Sequence, residues 1–301
     1  MSVALDRRTL GRTLTQLANA SVAEVLAMGP ARTAGTTAAH RIGITGPPGA
    51  GKSSLGGRLA LLRAGSRRVG FLAIDPTSPR TGGAILGDRI RIDDLPGGSD
   101  LYVRSLASRS AGNGLADNLP EMLEAMEQAG FDEIFVETVG VGQAEYAARY
   151  QVDTLLLVLN PESGDMVQAM KAGVLELADL YVINKSDLPG APRLASEINR
   201  VLQLTGSARR GWTPPVLLTS IGDEASVLRL STELEKHQTW LDRSGVQAQR
   251  QLSRARYRLR NLIERAVADT IAALPAAFFS NEFPAQYREA LKRLCEPTEI
   301  G

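Results

Sequence analysis

The run Gly46-Pro47-Pro48-Gly49-Ala50-Gly51-Lys52-Ser53-Ser54 limits the possible folds of this chain more than any other stretch. It fits G-x-x-x-x-G-K-[ST], the phosphate-binding P-loop, which needs a strand before it and a helix after it. Both are legible: Arg41-Ile42-Gly43-Ile44-Thr45 reads as a short buried strand, and Leu55 to Ala64 as a helix. Glycine lets the backbone curl until successive N–H groups face phosphate oxygens, and the helix adds the positive end of its dipole. Lys52 then reaches the β- and γ-phosphates, the Ser53 hydroxyl can hold Mg²⁺, and Ser54 is placed for the α-phosphate. A Gly-rich turn that matches by chance is the alternative, and it would not bring the strand and helix with it.

A second motif, Asn184-Lys185-Ser186-Asp187, follows the apolar run Leu180-Tyr181-Val182-Ile183. At a strand end this is a guanine-reading pattern. The Asp187 carboxylate can accept from N1–H and the 2-amino group together, a donor pair that adenine lacks. The Lys185 stem can cover a face of the base, and Asn184 can tie this loop to the P-loop. A third motif closes the strand Glu133-Ile134-Phe135-Val136 with Glu137, followed by Thr138-Val139-Gly140. Glu137 stands at the metal-binding strand end, and the Gly140 N–H is placed to sense a γ-phosphate. Val141 occupies the position where a water-orienting glutamine follows this glycine in Ras-like proteins, so slow unassisted hydrolysis is expected. Asp75, at the end of Val69 to Ile74, and Asp88 are candidates to approach the metal; capping a turn or helix is the ordinary alternative for each. Arg91, Arg104 and Arg109 are weaker candidates to steady transition-state charge, against structural ion pairs.

With these residues in view the chain resembles the MeaB/ArgK family of P-loop GTPases. The likeness lies in residues 43–53, Asp75-Pro76-Thr77-Ser78, Thr81-Gly82-Gly83-Ala84-Ile85-Leu86-Gly87-Asp88-Arg89, Glu137-Thr138-Val139-Gly140-Val141-Gly142-Gln143, and Leu175-Glu176-Leu177-Ala178-Asp179 before the guanine motif. The resemblance implies a GTP/GDP- and Mg²⁺-binding chaperone of an adenosylcobalamin-dependent acyl-CoA mutase. It would gate cofactor loading from a cobalamin adenosyltransferase and protect or reactivate the mutase. Ser53, Asp75, Asp88 and Glu137 would match the metal positions, and residues 165–171 a switch facing the mutase. Ser220 and Ile221 would form the last guanine loop, where Thr219-Ser220-Ile221 replaces the family's Thr-Ser-Ala. The Tyr146-Ala147-Ala148-Arg149-Tyr150 run departs from the family pattern.

Strands expected at 41–45, 69–74, 101–104, 133–136, 154–159, 180–184 and 216–219 alternate with helices. That pattern predicts an α/β P-loop NTPase fold with a mainly parallel sheet flanked by helices. Apolar spacing from Leu5 to Met28 adds one or two N-terminal helices, and 247–273 reads as a long Arg-rich helix. The expected division is 1–39 (helical extension and linker), 40–242 (GTPase domain) and 243–301 (C-terminal helical arm). The resemblance makes that arm a homodimerisation element, with Leu252, Leu259, Leu262, Ile263 and Val267 as its apolar stripe. A net charge of +1 gives no general pull toward nucleic acid, and a solvated or interface face accounts for the arginines of the arm. One cysteine and two histidines exclude a disulfide framework and a Cys/His metal cluster within the chain. Neither a long apolar span nor a signal core is visible, and the expected location is the cytoplasm. Two rivals to the regulated GTPase are a phosphotransferase passing the γ-phosphate to an acceptor and a GTP-dependent clamp with negligible turnover.

Overall fold

The computed structural model of the chain describes residues 5–28, 38–76, 100–108, 115–138, 143–162, 174–204, 211–280 and 282–295, with backbone alone at 75–76, 107–108, 143–145 and 174. Seven strands form one sheet: β1 (His40–Thr45), β2 (Val69–Pro76), β3 (Leu101–Ser108), β4 (Glu133–Glu137), β5 (Thr154–Leu159), β6 (Leu180–Ile183) and β7 (Val216–Leu218). Their order is β3-β2-β4-β1-β5-β6-β7, and every neighbouring pair is parallel. β2 and β3 continue past Ile74 and Arg104, where their apolar runs stop. Their pairing persists through Asp75 with Ala107 and Pro76 with Ser108, so the ladder and not the hydrophobic pattern sets their length.

The helices are α1 (Arg7–Asn19), α2 (Val22–Ala27), α3 (Lys52–Arg63), α4 (Leu119–Gln128), α5 (Gln143–Gln151), α6 (Ala191–Leu204), α7 (Glu224–Ser244), α8 (Val246–Ala272) and α9 (Phe283–Cys295). Among the described residues none is long and apolar enough to cross a membrane. Pro120 sits in the first turn of α4, where its missing N–H costs no helical bond. Pro284 plays the same part in α9.

The sheet is covered on both faces, as an all-parallel sheet requires. On one face Ile42, Ile44, Phe71 and Phe135 meet Leu55 and Leu59 of α3 and Val227, Leu230 and Leu234 of α7. On the other, Leu72, Ile134, Val136 and Leu155 meet Leu10, Leu14 and Leu17 of α1 and Met122, Leu123 and Met126 of α4. Strand alternation sends Glu133, Phe135 and Glu137 of β4 to the α3 face. There α3 is held at both ends. Arg63 in its last turn forms a bidentate pair with Glu133, with both side chains buried, and Ser53 in its first turn donates to Glu137 at 2.6 Å.

Arg256 and Arg260 of α8 are exposed, but the other four arginines of this helix turn onto the chain itself. At successive turns Arg250 pairs with Asp179, Arg254 with Asp153 and Arg258 with Glu121 and Glu124, while Arg265 bonds Asn118 and the Ala20 carbonyl. The arm helix is thus fastened to its own chain by charge. The unusual 146–150 run has a structural account here: Ala147 and Ala148 enter the core, Arg149 pairs with Asp179, and Tyr150 stacks on Tyr257 of α8 with ring centroids 5.5 Å apart. Along the opposite side of α8, Leu252, Leu259 and Ile263 stand exposed.

Both histidines lie at the start of the sheet, on either side of one hydroxyl. Thr154 Oγ1 is 2.7 Å from His40 Nε2 and 2.7 Å from His237 Nδ1, and its single proton means that it donates to one ring and accepts from the other. His237 packs between Trp212 and Trp240, and its Nε2 lies 3.6 Å from Asp179. Burial outweighs the pull of Asp179 and pushes His237 down to about 4, so the ring is neutral at pH 7. Burial lowers His40 as well. A depressed histidine pKa means that the unfolded chain binds more protons, so stability is lost as pH falls from 6.5 toward 4. Burial raises Glu124, which opposes part of this. Urea unfolding followed by tryptophan fluorescence should show a loss of about 2 kcal/mol from His237 between pH 7 and pH 5. A flat profile in that window would contradict it.

Candidate active site

The P-loop joins β1 to α3, so it sits at the carboxyl edge of the central strand, where open parallel sheets bind ligands. Three of its glycines, Gly46, Gly49 and Gly51, have positive φ, and two of them also face close neighbours. Gly46 has φ +140°, and a Cβ there would lie 1.9 Å from the Val158 carbonyl oxygen. Gly51 has φ +83°, and a Cβ would lie 2.4 Å from Asn184 Nδ2. Any side chain at either position would push the loop off its neighbouring strands. Pro48, Gly49 and Ser54 face outward, while Pro47, Ala50 and Lys52 are buried. The Lys52 ammonium folds back into the loop, donating to the Gly46 carbonyl at 2.8 Å and the Pro47 carbonyl at 3.0 Å.

Glu137 reaches this loop from the neighbouring strand. Pairing of Ile44 with Glu137 puts the ends of β1 and β4 level, and the Thr138 N–H donates to the Ile44 carbonyl at 3.0 Å. Thr138 Oγ1 also donates to Thr45 Oγ1 at 3.1 Å, a buried link between the strand ends that no sequence motif announced. The resulting Ser53 hydroxyl and Glu137 carboxylate are hard oxygen donors, which suits Mg²⁺ and not a softer metal. Residue 75 is the last but one of β2, two strands from β1, with its side chain outside the described residues. Asp88, Arg91, Arg109, Gly140, Val141 and residues 165–171 also lie outside them. Arg104 is turned away: it donates to the Gly11 carbonyl and to Thr15 of α1, so its role is structural.

The guanine motif begins as β6 ends, two strands from β1 on the other side. Asn184 Nδ2 donates to the Ala50 carbonyl at 2.9 Å, tying the two loops together. Lys185 has φ +55°, the single non-glycine residue with positive φ among those described. That strain is held by neighbours: the Leu188 N–H donates to the Lys185 carbonyl and the Ser186 N–H to the Thr219 carbonyl, both at 2.9 Å. Asp187 is exposed. The Ser220 hydroxyl, followed by its own backbone N–H, holds its carboxyl below the usual range, so it is ionised and able only to accept. Ser220 and Ile221 thus stand beside Asp187 on the turn that leads into α7. The P-loop backbone, the Ser53–Glu137 oxygen pair and the Asp187 carboxylate are gathered on one sheet edge.

Residues 11–276 match a family model described as methylmalonyl Co-A mutase-associated GTPase MeaB. A Pyrococcus horikoshii protein named as a GTPase is 38% identical over 280 residues, covering 91% of this chain and 87% of that protein. The mitochondrial methylmalonic aciduria type A homolog of Mus musculus is 31% identical over 270 residues, covering 88% of this chain and 65% of that one. The crystal structure of an LAO/AO transport system kinase superposes with a TM-score of 0.57 at 21% identity, over 98% of this chain and 100% of the other, a likeness of fold alone.

Proposed function

The chain belongs to the MeaB family of GTPases, and from that premise we propose that it is a Mg²⁺-dependent GTPase serving as a chaperone of an adenosylcobalamin-dependent acyl-CoA mutase in the cytoplasm. The observation that carries the nucleotide part is the convergence of Lys52, the Ser53–Glu137 pair and the Asn184–Asp187 loop on one edge of the sheet, with Asn184 bonded to the P-loop itself. The mutase part is supported by the family description and by the name of the mouse relative. In this reading GTP lies along the P-loop with its base on Asp187, and water attacks the γ-phosphate in line. Lys52 and the loop amides steady the charge that spreads over the phosphoryl oxygens. Mg²⁺, held by Ser53 and Glu137 with Asp75 and Asp88 as further candidates, would supply additional neutralisation of that charge. Gly140 would sense the γ-phosphate.

The position after Gly140 is Val141, so the chain itself offers no glutamine there to orient water, and turnover is expected to be slow until a partner binds. A cobalamin adenosyltransferase is the further expected partner. A homodimer through α8 is part of the same reading, supported by its exposed Leu252, Leu259 and Ile263. Phosphate release should be followed with GTP, with ATP as control, alone and with cobalamin-dependent acyl-CoA mutases, alongside light scattering of the protein. GTP turnover below about one per minute alone, accelerated by one mutase, is the expected result. Transfer of phosphate to an acceptor, or no acceleration by any mutase, would overturn the chaperone reading; a strict monomer would remove the dimer from it.

A further inference from the structure

We propose that Ser226, which lies inside the first turn of α7, is the positioning residue that fixes the base-reading carboxylate of Asp187 and so sets the preference for guanine. The inference rests on the reading of Asp187 as the base contact. Asp187 is exposed, and its carboxylate accepts from the Ser220 hydroxyl. Ser220 opens a tight turn closed by the Asp223 N–H donating to the Ser220 carbonyl at 2.9 Å. One hydroxyl grips both ends of that turn. Ser226 Oγ accepts the Ser220 N–H at 3.1 Å and stands 2.6 Å from the Asp223 carbonyl and 3.1 Å from the Ser220 carbonyl, to one of which it donates. Ser226 is 1% exposed, so it acts on a ligand only through this turn.

Helix capping does not account for Ser226. Asp223 already caps α7, its carboxylate accepting the Ala225 N–H at 3.1 Å. The hydroxyl of Ser226 is spent on the guanine loop, whose Ser220 aims Asp187. The order of dependence is therefore Ser226, Ser220, Asp187, base. A hydroxyl lost at the first link takes away the partner of the Ser220 N–H and frees the turn, at a cost that falls most on ligands reading through Asp187.

The test is equilibrium binding of GDP, IDP (no 2-amino group) and ADP (neither guanine donor) to the full chain and three variants. Ser226→Ala should weaken GDP about tenfold, with IDP between and ADP unchanged, so that the GDP-over-ADP ratio narrows by the same factor. A merely structural role would weaken all three equally or none, and either result overturns the inference. Asp187→Asn separates the two levels of the argument. If it removes the preference while Ser226→Ala keeps it, the positioning role fails and the base reading stands; if Asp187→Asn keeps the preference, the base reading fails and takes this inference with it. Should Ser226→Ala not fold, Ser220→Ala cuts the next link from the loop surface and must narrow the ratio in the same way; an unchanged ratio there also overturns the proposal.

Discussion

Lys52→Ala should weaken GDP and GTP binding by about a hundredfold to a thousandfold and lower turnover by more. Lys52 is 8% exposed, and its ammonium sits between the Gly46 and Pro47 carbonyls of the P-loop. When phosphate enters, the charge exchanges carbonyl partners for anionic oxygens. Charge-assisted bonds are worth about 1.5–3 kcal/mol each, so two are worth about 3–6 kcal/mol; the two carbonyl bonds given up in exchange leave a net loss of about 3–4 kcal/mol and hence that range in affinity. Turnover suffers further because charge on the phosphoryl oxygens spreads in the transition state, where a fixed cation counts for most. Calorimetric titration with GDP and a phosphate-release assay would measure the two effects. Affinity within threefold of the parent would show that Lys52 does not face the phosphates. Circular dichroism of the variant guards against a folding defect, since the loop's glycines and not this side chain set its curl.

The largest loss of stability should come from Glu133→Ala, about 3–5 kcal/mol. Glu133 is 1% exposed and carries the bidentate pair from Arg63, with Arg67 adding a third contact at 2.8 Å. Removing the carboxylate leaves the Arg63 guanidinium buried with Ser231 as its chief remaining partner, since the second carboxylate near it, Glu235, lies 3.7 Å away and is half exposed. The cost is one of stranding a charge, so the comparison variant matters. Replacing both partners by apolar residues of similar volume should recover much of the loss. Chemical denaturation of the single and double variants checks both statements. A Glu133→Ala loss under about 1 kcal/mol would mean that Arg63 escapes to water. The same change should reach the site, because Arg63 and Ser53 anchor opposite ends of α3 to one face of β4.

Legibility along this chain follows the range of the forces involved. The P-loop, its flanking strand and helix, and the β-α alternation are local, set by glycine, by apolar runs and by motif spacing, and the seven strands were all readable. The ends of β2 and β3 were not, because backbone pairing with a neighbour prolongs a strand after its hydrophobic pattern stops. Arg250, Arg254 and Arg258 could be read only as a solvated or interface face because their carboxylate partners lie far away in sequence, on α4 and at the starts of β5 and β6. Within the candidate site, each motif was visible alone. The left-handed Lys185, the Thr45–Thr138 link and the grip of Ser226 on Ser220 carry no local signature at all.

The sequence by itself determined that the chain folds around a P-loop, in a parallel sheet with guanine-type and acidic motifs at its strand ends, and its family resemblance followed from those same residues. These are properties of short segments, where a missing Cβ, a fixed spacing or an apolar run leaves the backbone few choices. Only the tertiary structure decided which residues share a face and an edge: that Glu137 meets Ser53, that Asn184 holds Ala50, that both histidines flank Thr154, and that the arm helix is fastened by arginines. Such contacts join residues dozens to more than a hundred positions apart. They exist because sheet order and register bring strand ends level, and a linear pattern holds no record of that order.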